Sequence, residues 1–222
     1  MPNTSQGLKP RLLRRIPKQE RSRDRIDEIL KAATDLIGSK GIDAVTMKEI
    51  ATRSGGPIAS VYQYFPNKSA IVAMLYERHA AEVKVLVEAT TSGLETVADA
   101  FSAVEELVDL YYRNIRDNPA LQDLVNATQA DKALALLDLQ ESRVHSRIFA
   151  DATCHLIARD RRDAYARTVF LMFHLAAAAV RLALLVDEDE GKFIMAEFKA
   201  ALVVQLQQFI GASENPSPAL QA

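Results

Sequence analysis

The chain has 222 residues, 27 Lys/Arg against 29 Asp/Glu and a formal net charge of −2, a length that admits one or two domains. Its single cysteine, Cys154, excludes an internal disulfide and fits a reducing cytoplasm, and no N-terminal apolar run marks a signal peptide. Glycine and proline number only eight each and fall in gaps between periodic segments. No run alternates with period two, so the composition predicts an all-α protein and excludes a sheet.

Charge is unevenly placed along the chain. Residues 1–68 carry 13 Lys/Arg and 7 Asp/Glu, a net of +6, whereas residues 69–222 carry a net of −8. The first 20 residues read as a basic flexible arm. Lys9, Arg11, Arg14, Arg15, Lys18, Arg21, Arg23 and Arg25 face only Glu20 and Asp24, which suits attraction to a phosphate backbone. Arg21 and Arg25 are the expected phosphate contacts next to the first helix.

Residues 21–68 carry the most specific local pattern. Thr46 and Glu49 stand three apart as a capping box, and Val45 and Ile50 flank it as a hydrophobic staple. Gly55 suits the left-handed position after a helix, and Pro57 the first turn of the next one. Pro66 then stops the segment Ile58–Phe65. Two short helices about a tight glycine turn form a helix-turn-helix, whose second member lies in a DNA major groove. Within it Val61 and Phe65, four apart, turn to the core. Ile58, Ala59 and Gln63 turn to base edges, where Gln63 can pair with adenine. No Arg or Lys lies between Pro57 and Phe65, so direct guanine readout from this helix would be weak unless Lys48 of the preceding helix reaches a base.

Beyond Lys68 the spacing predicts a bundle forming a domain over 69–211, with helices over 71–91, 95–116, 119–129, 131–158, 160–187 and 189–210. A polar, disordered tail at 212–222 follows. The stretch from Val169 to Val186 is almost wholly apolar but only eighteen residues long, and it contains His174 and Arg181. Spanning a bilayer would therefore be costly, and a helix apolar all round needs helical partners instead.

Arg25-Ile26, Ala32-Ala33, Leu36-Ile37, Gly41, Thr46, Ile50-Ala51, Gly55, Ser60, Tyr62, Tyr64-Phe65 and Lys68 fall at fixed spacings over residues 22–82. This pattern resembles the TetR (tetracycline-repressor-like) family of bacterial transcriptional regulators. Gly56 and Pro57 depart from it, standing where an aliphatic residue and a capping Ser are common. The resemblance implies an N-terminal three-helix DNA-binding domain, a larger helical ligand-binding and dimerisation domain, and about nine helices in all. It implies backbone contacts to DNA from Thr46, Ser60, Tyr62, Tyr64 and Lys68, with packing as the competing role for Tyr64. It further implies a cytoplasmic homodimer joined through the last two long helices and bound to a palindromic operator in double-stranded DNA. Half-sites about 34 Å apart would match two recognition helices. A small-molecule inducer would release the repressor from a pocket whose candidate walls are Phe101, Tyr111, Tyr112, Asn126, Gln129, His145, Phe149, Phe170 and His174. A regulator of the same fold without an inducer, constitutive or controlled by a protein partner, is the alternative.

Catalytic patterns are wanting. Cys154 and His155 are adjacent and splay apart on a helix, and Glu141 and His145 lack a third metal ligand. Neither a glycine-rich phosphate loop nor a nucleophile elbow occurs. No enzyme, cofactor, metal or membrane role is expected.

Overall fold

Nine α-helices and two short 3₁₀ turns account for almost all of the computed structural model, which describes residues 20–210; no strand occurs among them. The expected basic arm, apart from its last residue, and the polar tail lie outside the described residues. The helices are α1 (Glu20–Lys40), α2 (Met47–Arg53), α3 (Ile58–Tyr64), α4 (Lys68–Thr90), α5 (Val97–Arg116), α6 (Pro119–Ala127), α7 (Lys132–Thr153), α8 (Arg162–Leu185) and α9 (Glu188–Ile210). They divide into two compact units, the first reaching His79 and including Asn118–Ala127, the second made of Ala80–Asp117 and the chain from Thr128 onward.

The first unit is built on α1. Ile26, Ile29, Leu30, Ala33 and Ile37 recur at three- and four-residue steps and are all buried. Val45, Ile50 and Ala51 around α2, Val61 and Phe65 around α3, and Ile71, Val72 and Leu75 of α4 complete its interior. The unit is larger than the 21–68 segment expected from the motif, because α6 packs on α1 from far along the chain. Asp123 Oδ2 accepts from the Ile42 N–H at 2.8 Å, and Ala120 lies against Gly38.

The second unit places α8 against α7 and α9, and α5 against α9 and α8. Its core gathers Val87, Ala103, Phe149, Ile157, Tyr165, Val169, Leu206 and Phe209. Tyr165 Oη and Thr153 Oγ1 share a hydrogen bond of 2.6 Å inside it, and burial pushes the phenol up to about 12. Helix ends differ from the periodicity by a few residues where polar caps decide. α5 begins at Val97, not 95, because Thr96 and Asp99 form a second capping box. Asp131 caps α7, and Asp187 accepts from the Asp189 and Glu190 N–H groups to start α9. α7 ends at Thr153 rather than 158, where a 3₁₀ turn over Cys154–Leu156 takes over.

Candidate nucleic-acid interface and effector site

The helix-turn-helix geometry follows from short-range chemistry. Thr46 Oγ1 accepts from the Glu49 N–H at 3.3 Å, and Glu49 Oε2 accepts from the Thr46 N–H at 2.9 Å, closing the capping box. Lys40 Nζ pairs with the other oxygen of Glu49. These bonds, the Lys40 contact first and then the Thr46 hydroxyl and N–H, hold the Glu49 carboxyl down at about 2. At the far end of α2, Gly55 adopts φ +74°. The Gly55 N–H bonds the Thr52 carbonyl and the Gly56 N–H bonds the Ala51 carbonyl, the two bonds of a Schellman turn.

Gly56 has a role that its departure from the family pattern did not suggest. A Cβ there would come within 2.5 Å of Arg25 Nη2, so the missing side chain makes room for the guanidinium. Arg25 uses that room to donate to the Ser54 carbonyl, to Ser54 Oγ (3.1 Å) and to Ser60 Oγ (3.0 Å), while pairing with Glu28. One side chain from α1 thus ties the end of α2 to the start of α3. Arg25, expected as a phosphate contact, has its charge engaged within the unit, and Ser60 is likewise occupied, donating to the Pro57 carbonyl at 2.8 Å.

The remaining DNA candidates sort by exposure. Ile58 and Tyr62 are each 40% exposed, and Ala59, Gln63, Pro57, Thr46, Lys48 and Arg21 are exposed as well. Tyr64 is a correction: it is buried at 8% exposure, because two residues along a helix turn it to the side opposite Tyr62. Lys68 Nζ donates to the carbonyls of Ile42 (2.8 Å) and Asp43 (3.2 Å), which leaves one of its three donors for a phosphate. Thr52 and Arg53 are also exposed on α2, where Thr52 Oγ1 donates to the Lys48 carbonyl at 3.0 Å and Arg53 pairs with Asp35 at 3.4 Å.

The effector candidates scatter. Phe149 belongs to the core of the second unit and Phe101 packs against it, so both are structural. His145 is buried, with Nε2 2.9 Å from the Ala80 carbonyl, and burial lowers its pKa below the ordinary imidazole value. Tyr112 lies under the Arg116 guanidinium. Gln129 is exposed, its amide donating to Thr128 Oγ1 at 3.3 Å. Asn126 is exposed and belongs to the first unit.

Tyr111, Phe170 and His174 do share a neighbourhood in the second unit. His174 stacks on Phe170 and places Nδ1 3.3 Å from Ser142 Oγ and 3.5 Å from Asp138 Oδ2. The Tyr111 hydroxyl is desolvated, which with the charge of Asp138 raises its pKa, while Arg181 opposes that shift. Asp138, Ser142 and Arg181 were missed. The one available signal was Arg181 itself, a charge in an apolar helix seven residues after His174. Among the described residues no group of three His, Cys, Asp or Glu is placed to hold a metal.

The profile for the tetracyclin repressor-like C-terminal domain matches residues 98–210, and that for bacterial regulatory proteins of the tetR family matches residues 29–75. Over 107 residues, 48% of the chain, it is 30% identical to the uncharacterized HTH-type transcriptional regulator YdeS of Bacillus subtilis. The chain spans about half of that relative's length, 51%. A TetR-family regulator from Pectobacterium atrosepticum has the same fold, with a TM-score of 0.66 at 16% identity over 87% of this chain and 98% of that one. RolR, solved with its ligand resorcinol, has a TM-score of 0.61 at 15% identity over 89% and 97% of the two chains. With the turn, its exposed second helix and both profile matches in place, the chain belongs to the tetR family of bacterial regulatory proteins, which are DNA-binding transcriptional regulators.

Proposed function

We propose that the protein is a homodimeric repressor that binds a palindromic operator and leaves it when a small molecule occupies the second unit. The observation that carries the DNA reading is the solvent face of α3. Ile58, Ala59, Tyr62 and Gln63 stand free of the interior on a helix whose start is held by Arg25. Gln63 reads a base, while Tyr62, Thr46 and the spare donor of Lys68 meet phosphates.

Dimerisation is supported by the outer faces of the last two helices. Leu171, Leu175, Leu182 and Leu185 recur at four-, seven- and three-residue steps on α8, and Phe193 and Val204 lie eleven apart on α9. Leu185 is 79% and Phe193 64% exposed, and a recurring apolar stripe of this kind suits an interface. Both helices are long and apolar enough to cross a membrane by length and composition alone. A second copy of the same faces covers them without burying His174 and Arg181 in lipid.

RolR's bound resorcinol supports a small-molecule effector in a protein of this fold. The reading without an effector draws on Phe101, Phe149 and His145, three candidate walls already committed to packing or to a backbone carbonyl. Selection of bound sequences from random DNA at fixed physiological salt tests the first reading. A palindrome with half-sites one helical turn apart is expected, whereas bulk, salt-sensitive binding alone would reject sequence-specific regulation. Operator release by small molecules then separates the two readings of control.

A further inference from the structure

From Val169 to Leu185, α8 is apolar except at two positions, His174 and Arg181. The two are seven residues apart and so lie on one stripe of the helix. Both are partly buried. His174 is answered from α7 by Ser142 and Asp138. Arg181 is not fully answered: its Nη1 is sealed from solvent and has no hydrogen-bond partner. Tyr111 of α5 lies within electrostatic reach of both Arg181 and Asp138. Three helices therefore bring a guanidinium, a phenol, an imidazole, a hydroxyl and one carboxylate together inside the second unit.

A buried cationic N–H without an acceptor is unfavourable, and an acceptor supplied from outside the chain reverses that. The planar fork of a guanidinium matches the paired oxygens of a carboxylate or a phosphate. A dianion is disfavoured, since Asp138 is nearby and the other guanidinium at hand, Arg143, is stacked over Phe170, leaving Arg181 alone with a sealed donor to offer. We propose that Arg181 anchors the acid group of a small organic monocarboxylate, held among α5, α7 and α8 with its polar substituent toward the Asp138–His174 pair. Phe170, stacked on His174 and carrying the Arg143 guanidinium over its ring at 4.3 Å, fixes the side chains beside that pair. The inference rests on the effector reading above and specifies the chemical class of the effector.

Matched acids and amides test it on the full chain: benzoate and benzamide, 4-hydroxybenzoate and 4-hydroxybenzamide, hexanoate and hexanamide. Binding is read by titration calorimetry and thermal shift, and operator release in parallel. At least one acid is expected to bind tenfold or more tightly than its amide. Arg181→Met should bring that ratio to near one without lowering the ligand-free Tm, because no bond to Nη1 is lost. If Arg181→Met does not fold, Arg181→Lys keeps the charge without the fork and should weaken the preferred acid several-fold. Acids and amides binding alike, an acid preference surviving in Arg181→Met, or no acid binding at millimolar concentration would each overturn the proposal. Operator release by a neutral compound but by no acid would sink the carboxylate inference alone. If no compound of either series changes operator affinity, the effector reading fails with it.

Discussion

The two units use polar side chains in opposite ways. In the first, polar groups hold surface turns together: Thr46 and Glu49 cap α2, Arg25 bridges Ser54 and Ser60, Lys68 holds the Ile42 and Asp43 carbonyls, and Asp123 takes the Ile42 N–H. In the second, they are drawn inward from the helices: Tyr111, Asp138, His145, His174 and Arg181 are all wholly or partly buried. The first arrangement makes a rigid presenting surface from a short stretch of chain. The second makes an interior that is costly when empty of partners, which is the property a ligand-responsive region needs.

Phe149→Ala tests the contrast most severely. As part of the core it should cost the second unit about 3–5 kcal/mol in urea unfolding. A small cost accompanied by altered effector response would restore Phe149 as a pocket wall. In the first unit, Arg25→Ala removes donors to Ser54 and Ser60 and should cost about 1–3 kcal/mol, with operator affinity falling in step. Gly56→Ala displaces the same guanidinium, so the double variant should cost little more than either single one. Additive losses in that cycle would show that Gly56 does not act through Arg25.

Gln63→Ala should leave stability within about 0.5 kcal/mol of the native protein. Base preference at one position per half-site should change by about 1–3 kcal/mol in binding to operator variants. A uniform loss across all sequences would instead make Gln63 a phosphate contact.

Acid titration separates the units by direction. Glu49 is held at about 2, below its ordinary value of 4.5, so its contribution is present above 4.5 and is lost only as pH falls toward 2. His145 is shifted down by burial, with Lys84 acting in the same sense and the Ala80 carbonyl, Glu141 and Asp138 opposing. Its folded form resists a proton that the unfolded chain accepts, so stability is full above the ordinary value of 6.5 and declines as pH falls through it. Between pH 7 and 5 the second unit should weaken while the first holds, as read by hydrogen exchange of α7 against α2. His145→Gln should flatten the decline, and an unchanged slope would assign it to other groups.

Legibility followed the distance between partners. Thr46 and Glu49 are three residues apart, and the Gly55 and Gly56 N–H groups bond carbonyls three and five positions back, so cap and turn were readable. Tyr62 and Tyr64 both stand at positions that the family resemblance assigns to DNA, with packing the competing role for Tyr64, and only the fold decides that Tyr64 is buried and Tyr62 faces water. Arg25 lies 29 residues from Ser54, and Asp123 lies 81 from Ile42, so neither pairing had a local signature. Gly56 read only as a departure from the family pattern because its neighbour across space, Arg25, was invisible.

By itself the sequence determined the all-helical class, the helix-turn-helix at its place in the chain, and the two long apolar helices near its end. These rest on periodicity and on caps, forces that act within one or two helical turns. Tertiary structure alone decided that α6 completes the first unit, that Arg25 locks the turn through Gly56, and that Phe149 is core. It also decided that Arg181 meets the surroundings of Tyr111, Asp138 and His174. Those outcomes depend on which helix faces pack together, and close packing joins residues whose separation along the chain carries no information about their contact.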